Sequence, residues 1–170
     1  MNHRPTPPNR RTTPRSYYDI FVYPNFKDYL DHPSDIRFGF NACVPAFHLA
    51  DVMFEYYGVG NLPSKVSRCT NMKTLHKRLT RLNRAFLTIE SIATAYKHLH
   101  PKGSFYEIGS PMALWGLTLP AANLDLSSMG KDRLLEDVIV RRKRGRDVSL
   151  TKALTAVVED LWPSILPQEN

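Results

Sequence analysis

"NACVPAFHLADVMFEYY", Asn41 to Tyr57, lies within the strongest helical pattern of this 170-residue chain. The wider segment runs from "PSDIRFGF" to Gly58. Ser34 is placed to act as its N-cap, Asp35 suits the first turn, and Gly58 stands where a helix C-terminus takes glycine. At the helical period, Ile36, Phe40, Cys43, Val44, Phe47, Ala50, Phe54 and Tyr57 form one broad apolar stripe. Polar groups are confined to a narrow sector with Arg37, Asn41, His48 and Glu55, and Asp51 lies at its border with the stripe. A helix greasy on most sides belongs in a core. Its polar strip is either a solvent-facing edge or one wall of a cleft. His48, three residues before Asp51, is on the right side to pair with that carboxylate. Such a pair orients an imidazole for proton transfer, for anion binding or for a plain polar contact. Pro45 either bends this helix or divides it in two.

Working outward, "NFKDYLDH" reads as a short helix ending before Pro33, and residues 61–82 have helical spacing at Leu75, Leu79 and Leu82. A second strong helix runs from about Asn83 to Leu99, stopped by Pro101 and Gly103. Phe86, Ile89, Ile92, Ala93, Tyr96 and Leu99 form its core face, with Glu90 and Lys97 on the flank and Ser91, Thr94 and His98 on the solvent side. Lys97 is placed to neutralise Asp51 if the two helices pack side by side; otherwise it pairs with Glu90 on its own helix. Residues 103–130 turn rich in Gly, Pro, Ser and Asn, which fits short strands or an irregular connection. A β-hairpin follows near 137–150, with Val138 and Val140 on one strand, a turn at Lys143–Arg146, and Val148 and Leu150 returning. Thr151 then caps a last helix, "KALTAVVEDLW", ending before Pro163. The expected fold is mainly α: a bundle of four or five helices with a small C-terminal β-hairpin, spanning 17–170 as one domain.

Residues 1–16 carry Arg4, Arg10, Arg11 and Arg15, no acid and four prolines, the pattern of a disordered basic arm. "RRKRGR", residues 141–146, adds five cations: Arg141, Arg142, Lys143, Arg144 and Arg146. These nine charges exceed the net +7, so the remainder of the chain nets −2 and the basicity reads as two local patches. The hairpin cations either contact nucleic acid or keep a strand edge charged against unwanted pairing. No apolar run reaches a membrane-spanning length, and the N-terminus has no signal-peptide core. Two cysteines, Cys43 and Cys69, make neither a disulfide framework nor a metal cluster, which points to a reducing cytoplasm. There is no phosphate-binding glycine loop, CxxC, HExxH or GxSxG, so no metal or cofactor is expected. His76 and His100 have no ligand spacing to a cysteine or acid.

His48-Leu49-Ala50-Asp51, then Ala95, Lys97 and His98, then the hairpin around Gly145 and a final helix ending in Trp162, occur in an order that resembles a group of bacterial helical proteins. Thr94 stands where that pattern carries Asn. These proteins are similar to the HEPN superfamily, helical bundles that include RNA-cleaving toxins and defence components. The resemblance implies an RNA or nucleotide ligand and a defence or toxin–antitoxin setting. It also implies a polar cluster of Arg37, His48, Asp51, Lys97 and His98, with His48 and His98 as the candidates for any ribonuclease chemistry. No histidine has an arginine at the HEPN nuclease spacing, Arg-x4–6-His, so binding without cleavage is the expectation. The alternative is a protein-interaction module tethered by the arm and hairpin, or a homodimer built on the bundle's apolar faces.

Overall fold

A computed structural model of the chain describes residues 12–98, 114–120, 134–143 and 146–167, with the side chains at 96–98, 115–120 and 134–136 outside the description. The arginines at positions 4, 10 and 11 of the expected arm, and most of the 103–130 connection, likewise lie outside the described residues. The described chain is mainly helical with a small antiparallel sheet.

Helix begins earlier than the composition implies. Thr13 caps Pro14–Tyr17 (α1), its side chain accepting from the Ser16 N–H at 3.0 Å. Pro14, within the stretch expected to be a disordered arm, sits at the first helical position, where its missing N–H costs nothing. The helix runs unbroken through a π turn, Tyr18–Val22, into Tyr23–Asp31 (α2). After Pro33 comes Ile36–Tyr57 (α3), capped by Asp35 rather than Ser34 and continuous through Pro45. It ends at Gly58, whose φ of 69° is a backbone state that side chains with a Cβ rarely adopt. A 3₁₀ turn, Ser64–Val66, leads to Met72–Leu82 (α4), opened by an Asn71–Thr74 capping box. Ala85–His98 (α5) follows.

The sheet holds three strands: Leu114–Pro120 (β1), Leu134–Val140 (β2) and Val148–Ser149 (β3), in the order β1-β2-β3. Leu114 pairs with Val140 and Pro120 with Leu134, while Val140 also pairs with Val148. The hairpin is thus present but shorter on its return than expected. Leu150 begins the next helix, Leu150–Thr155 (α6), and the cap is Ser149, not Thr151. A second π turn, Ala156–Leu161, passes into Trp162–Ile165 (α7). The last helix therefore continues through Pro163 instead of ending before it.

Each π turn ends two residues before a proline, Pro24 or Pro163. A proline has no N–H for the carbonyl four residues back, and widening the turn ahead of it reassigns the local bonds without breaking the helix. The two turns meet in the core. The Tyr18 hydroxyl donates to the Val158 carbonyl at 3.0 Å, and the Asn83 amide donates to Ala156 at 2.9 Å. Trp162, fully buried, donates its indole N–H to the Ala46 carbonyl of α3 at 3.0 Å.

α5 is buried at every position from Phe86 to Ala93. The side assigned to solvent is covered: Ser91 is fully buried and satisfies its hydroxyl on the Leu87 carbonyl at 2.7 Å. Periodicity failed here because a central helix is packed on all sides, and small hydroxyls enter a core once bonded back to their own helix.

One buried carboxylate joins the two ends of the chain to the sheet. Asp137 on β2 accepts at one oxygen from the Tyr29 hydroxyl (3.0 Å), the Thr151 hydroxyl (2.9 Å) and the Thr151 N–H (3.1 Å). Burial, with Asp137 nearby, pushes the Tyr29 phenol well above its ordinary value. It therefore remains a donor while an unfolded tyrosine ionises near pH 10. Stability supplied by a raised pKa is present below the unfolded value and lost above it. Urea midpoints are accordingly expected to fall as pH rises past about 10, less steeply in Tyr29→Phe. Asp137→Ala is expected to cost about 3 kcal/mol in the same assay at neutral pH, since three donors lose their acceptor.

Candidate nucleic-acid interface

Between Glu55 and Glu90 the chain carries no acid. It carries seven cations there: Lys65 and Arg68 before α4, Lys73, Lys77, Arg78 and Arg81 on it, and Arg84 just after. All seven are exposed. The charge is thus not confined to the arm and the hairpin. A net of −2 for the remaining chain concealed a basic segment offset by acids elsewhere.

The helical period explains the display. Met72, Leu75, His76 and Leu79 turn toward the core, with Leu75 and Leu79 fully buried. Lys73, Lys77, Arg78 and Arg81 fall on the opposite side. The 3₁₀ turn lies alongside and closes a cleft of about 650 Å³. Lys65 and Arg68 line it from the turn and Arg78 and Arg81 from α4, with Ser64, Ser67 and Thr74 also in the lining. The Arg78 Nε–H donates to the Lys65 carbonyl at 2.9 Å, which ties the guanidinium to the turn. Cys69 lies at the cleft; burial pushes its thiol up, partly offset by the Arg78 charge. A concave surface with four cations and no carboxylate among its lining residues attracts phosphates by Coulomb forces and fork-shaped hydrogen bonding.

The polar strip of α3 has a different neighbourhood. His48 Nδ1 and Asp51 lie 2.7 Å apart, both side chains 44% exposed. Asp51 opens onto a second cavity, about 480 Å³, lined also by Thr12, Glu55 and Tyr56. The Tyr17 phenol is pushed up by burial and by the Asp51 charge, so α1 is the neighbour on this side. The side chains of Lys97 and His98 lie outside the described residues, and the expected Asp51–Lys97 pair has no geometry to report. Arg37 does not join the group. It is 83% exposed at the start of α3 and forms an ion pair with Asp35 at 2.7 Å. That contact holds the Asp35 carboxyl below the usual carboxylate range.

Of the hairpin cations, Arg141, Lys143 and Arg146 are exposed and Arg144 lies outside the described residues. Arg142 is drawn inward, donating to the Thr88 hydroxyl of α5 at 3.3 Å. Thr88 and Glu90 project to nearly opposite sides of α5, and α4 packs on the Glu90 side. Hairpin and basic helix thus flank α5 from opposite directions and do not form one surface.

Sequence spacing missed a second histidine–carboxyl pair. His76 Nδ1 of α4 lies 2.9 Å from a carboxyl oxygen of Glu90 on α5, with side chains 17% and 7% exposed. Phe47 and Phe86 meet the His76 ring edge-on at 5.1 and 5.9 Å. His76 Nε2 and the other Glu90 oxygen are buried without a hydrogen-bond partner. The signal lay in symmetry: both residues stand seven positions from Asn83, the turn of the α4–α5 hairpin, and face each other across it. Among the described residues, no group of three or more His, Cys, Asp or Glu side chains could hold a metal ion, and no helix is long and apolar enough to cross a membrane. Comparison with family models, curated proteins and solved structures finds no match.

Glu90→Ala leaves His76 buried and unpaired and is expected to cost about 3 kcal/mol by urea denaturation. The double change His76→Phe with Glu90→Leu is expected to recover most of that loss, because an apolar seam needs no partners.

Proposed function

We propose that this chain is an RNA-binding helical bundle that holds its ligand by the phosphate backbone on the basic face of α4, without cleaving it. The observation that carries this reading is the seven exposed cations across residues 65–84, with no acid between Glu55 and Glu90. Cations at four-residue intervals on a helix, such as Lys73, Lys77 and Arg81, lie about 6 Å apart along the axis, one after another beneath a strand. Resemblance to HEPN bundles points to the same ligand class and to a defence or toxin–antitoxin setting. Absence of the Arg-x4–6-His spacing favours binding over cleavage. The exposed His48–Asp51 pair lies on α3 and is not among the residues lining the basic cleft. A protein-interaction role has one observation in its favour: Ile20, Phe21 and Tyr23 are 60%, 45% and 40% exposed on the N-terminal helix.

Fluorescence anisotropy with a short labelled single-stranded RNA tests the reading. Lys73→Glu with Lys77→Glu is expected to weaken binding by about tenfold or more, while Arg141→Glu with Lys143→Glu changes it little. The logarithmic salt slope is expected near −3, as about four phosphates on a single strand require. Wild-type affinity in the α4 variant would sink the proposal.

A further inference from the structure

The cleft beside α4 differs from the open face of that helix in how densely it concentrates charge. Lys65, Arg68, Arg78 and Arg81 converge on about 650 Å³, a volume suited to a small ligand. An internal phosphodiester brings a single negative charge, and the next lies a nucleotide further along the strand. A strand merely crossing this cleft leaves most of its positive charge unanswered. A terminal di- or triphosphate packs several charges and many acceptor oxygens into a compact volume, and phosphate oxygens take paired guanidinium hydrogen bonds. The hydroxyls of Ser67 and Thr74 already donate to the Ser64 and Asn71 carbonyls at 3.0 and 2.7 Å, which leaves the cations as the main ligand donors, and no aromatic ring stands among the lining residues to stack a base. Arg78, tied to the Lys65 carbonyl, presents its guanidinium in a fixed position before any ligand arrives.

We infer that this cleft is a site for the terminal polyphosphate of a nucleotide, and that on RNA it takes the 5′ end while the open face of α4 follows the adjoining backbone. The inference rests on the RNA-binding reading for the strand, but the polyphosphate site stands on the cleft itself. It assigns the two groups of cations different tasks. Lys73 and Lys77 supply affinity for any strand, and Lys65 and Arg68 discriminate its end.

The test compares one RNA sequence bearing a 5′-triphosphate, a 5′-monophosphate or a 5′-hydroxyl, with ATP and inorganic tripolyphosphate as competitors. The triphosphate form is expected to bind about tenfold or more tighter than the hydroxyl form. Lys65→Ala with Arg68→Ala, both on exposed positions, is expected to abolish most of that difference; Arg81→Gln is a second variant on the rigid helix. Equal affinity for all three ends, with no competition by tripolyphosphate, overturns the inference and leaves backbone binding standing. Competition by ATP and tripolyphosphate that the cleft variants abolish supports the polyphosphate site. If no RNA form binds, the 5′-end assignment and the RNA-binding proposal are both overturned, and direct titration with ATP and tripolyphosphate decides the cleft: saturable binding lost in the cleft variants supports the polyphosphate site, and no binding overturns it.

Discussion

Asp137 is the constraint on which the architecture turns. A carboxylate with almost no solvent exposure survives in a core only when its acceptor capacity is met. Here the donors come from the N-terminal helix and from the first turn of α6, while Asp137 itself belongs to the sheet. Tyr29 and Thr151 are 122 residues apart, yet they share one oxygen of this side chain and also approach each other at 3.2 Å. With these groups in place, the two proline-bearing helices run past each other, their π turns meet at Tyr18 and Val158, and Trp162 reaches α3.

That closure leaves α5 enclosed and α4 on the outside. A helix packed on one side only must present its other side to water, and α4 fills that side with lysine and arginine. Repulsion among these cations is a standing cost, reduced in water by screening and by the reach of long side chains. The core side offsets it through Leu75, Leu79 and the His76–Glu90 pair. Stability and charge display thus meet in one helix: the residues that press it onto α5 set where its charged side points.

Among the described residues, two polar clusters have different linings. Acid and exposed imidazole gather where α1 crosses α3, at Asp51, Glu55 and His48. Positive charge gathers across α4 and the 3₁₀ turn. By Coulomb's law the second cluster attracts anions and the carboxylates of the first repel them.

Local chemistry was legible without coordinates. The long apolar helix with its glycine stop, the helix from Ala85 onward, the hairpin valines and the His48–Asp51 contact all follow from spacing within about one or two turns of chain. Such features depend on neighbours in sequence, and a period or a cap records them. The enclosure of Ser91, the facing of His76 to Glu90, the inward draw of Arg142 and the Asp137 junction depend on which surfaces come to rest against each other. A helical projection assigns one side to solvent; it has no means of knowing that a second layer will cover it. The basic cleft lies between these cases. Its seven-cation segment stood in plain view and was lost only by averaging charge over the rest of the chain. Its concavity is a tertiary fact, because Lys65 and Arg78 become neighbours only when the turn folds back on the helix.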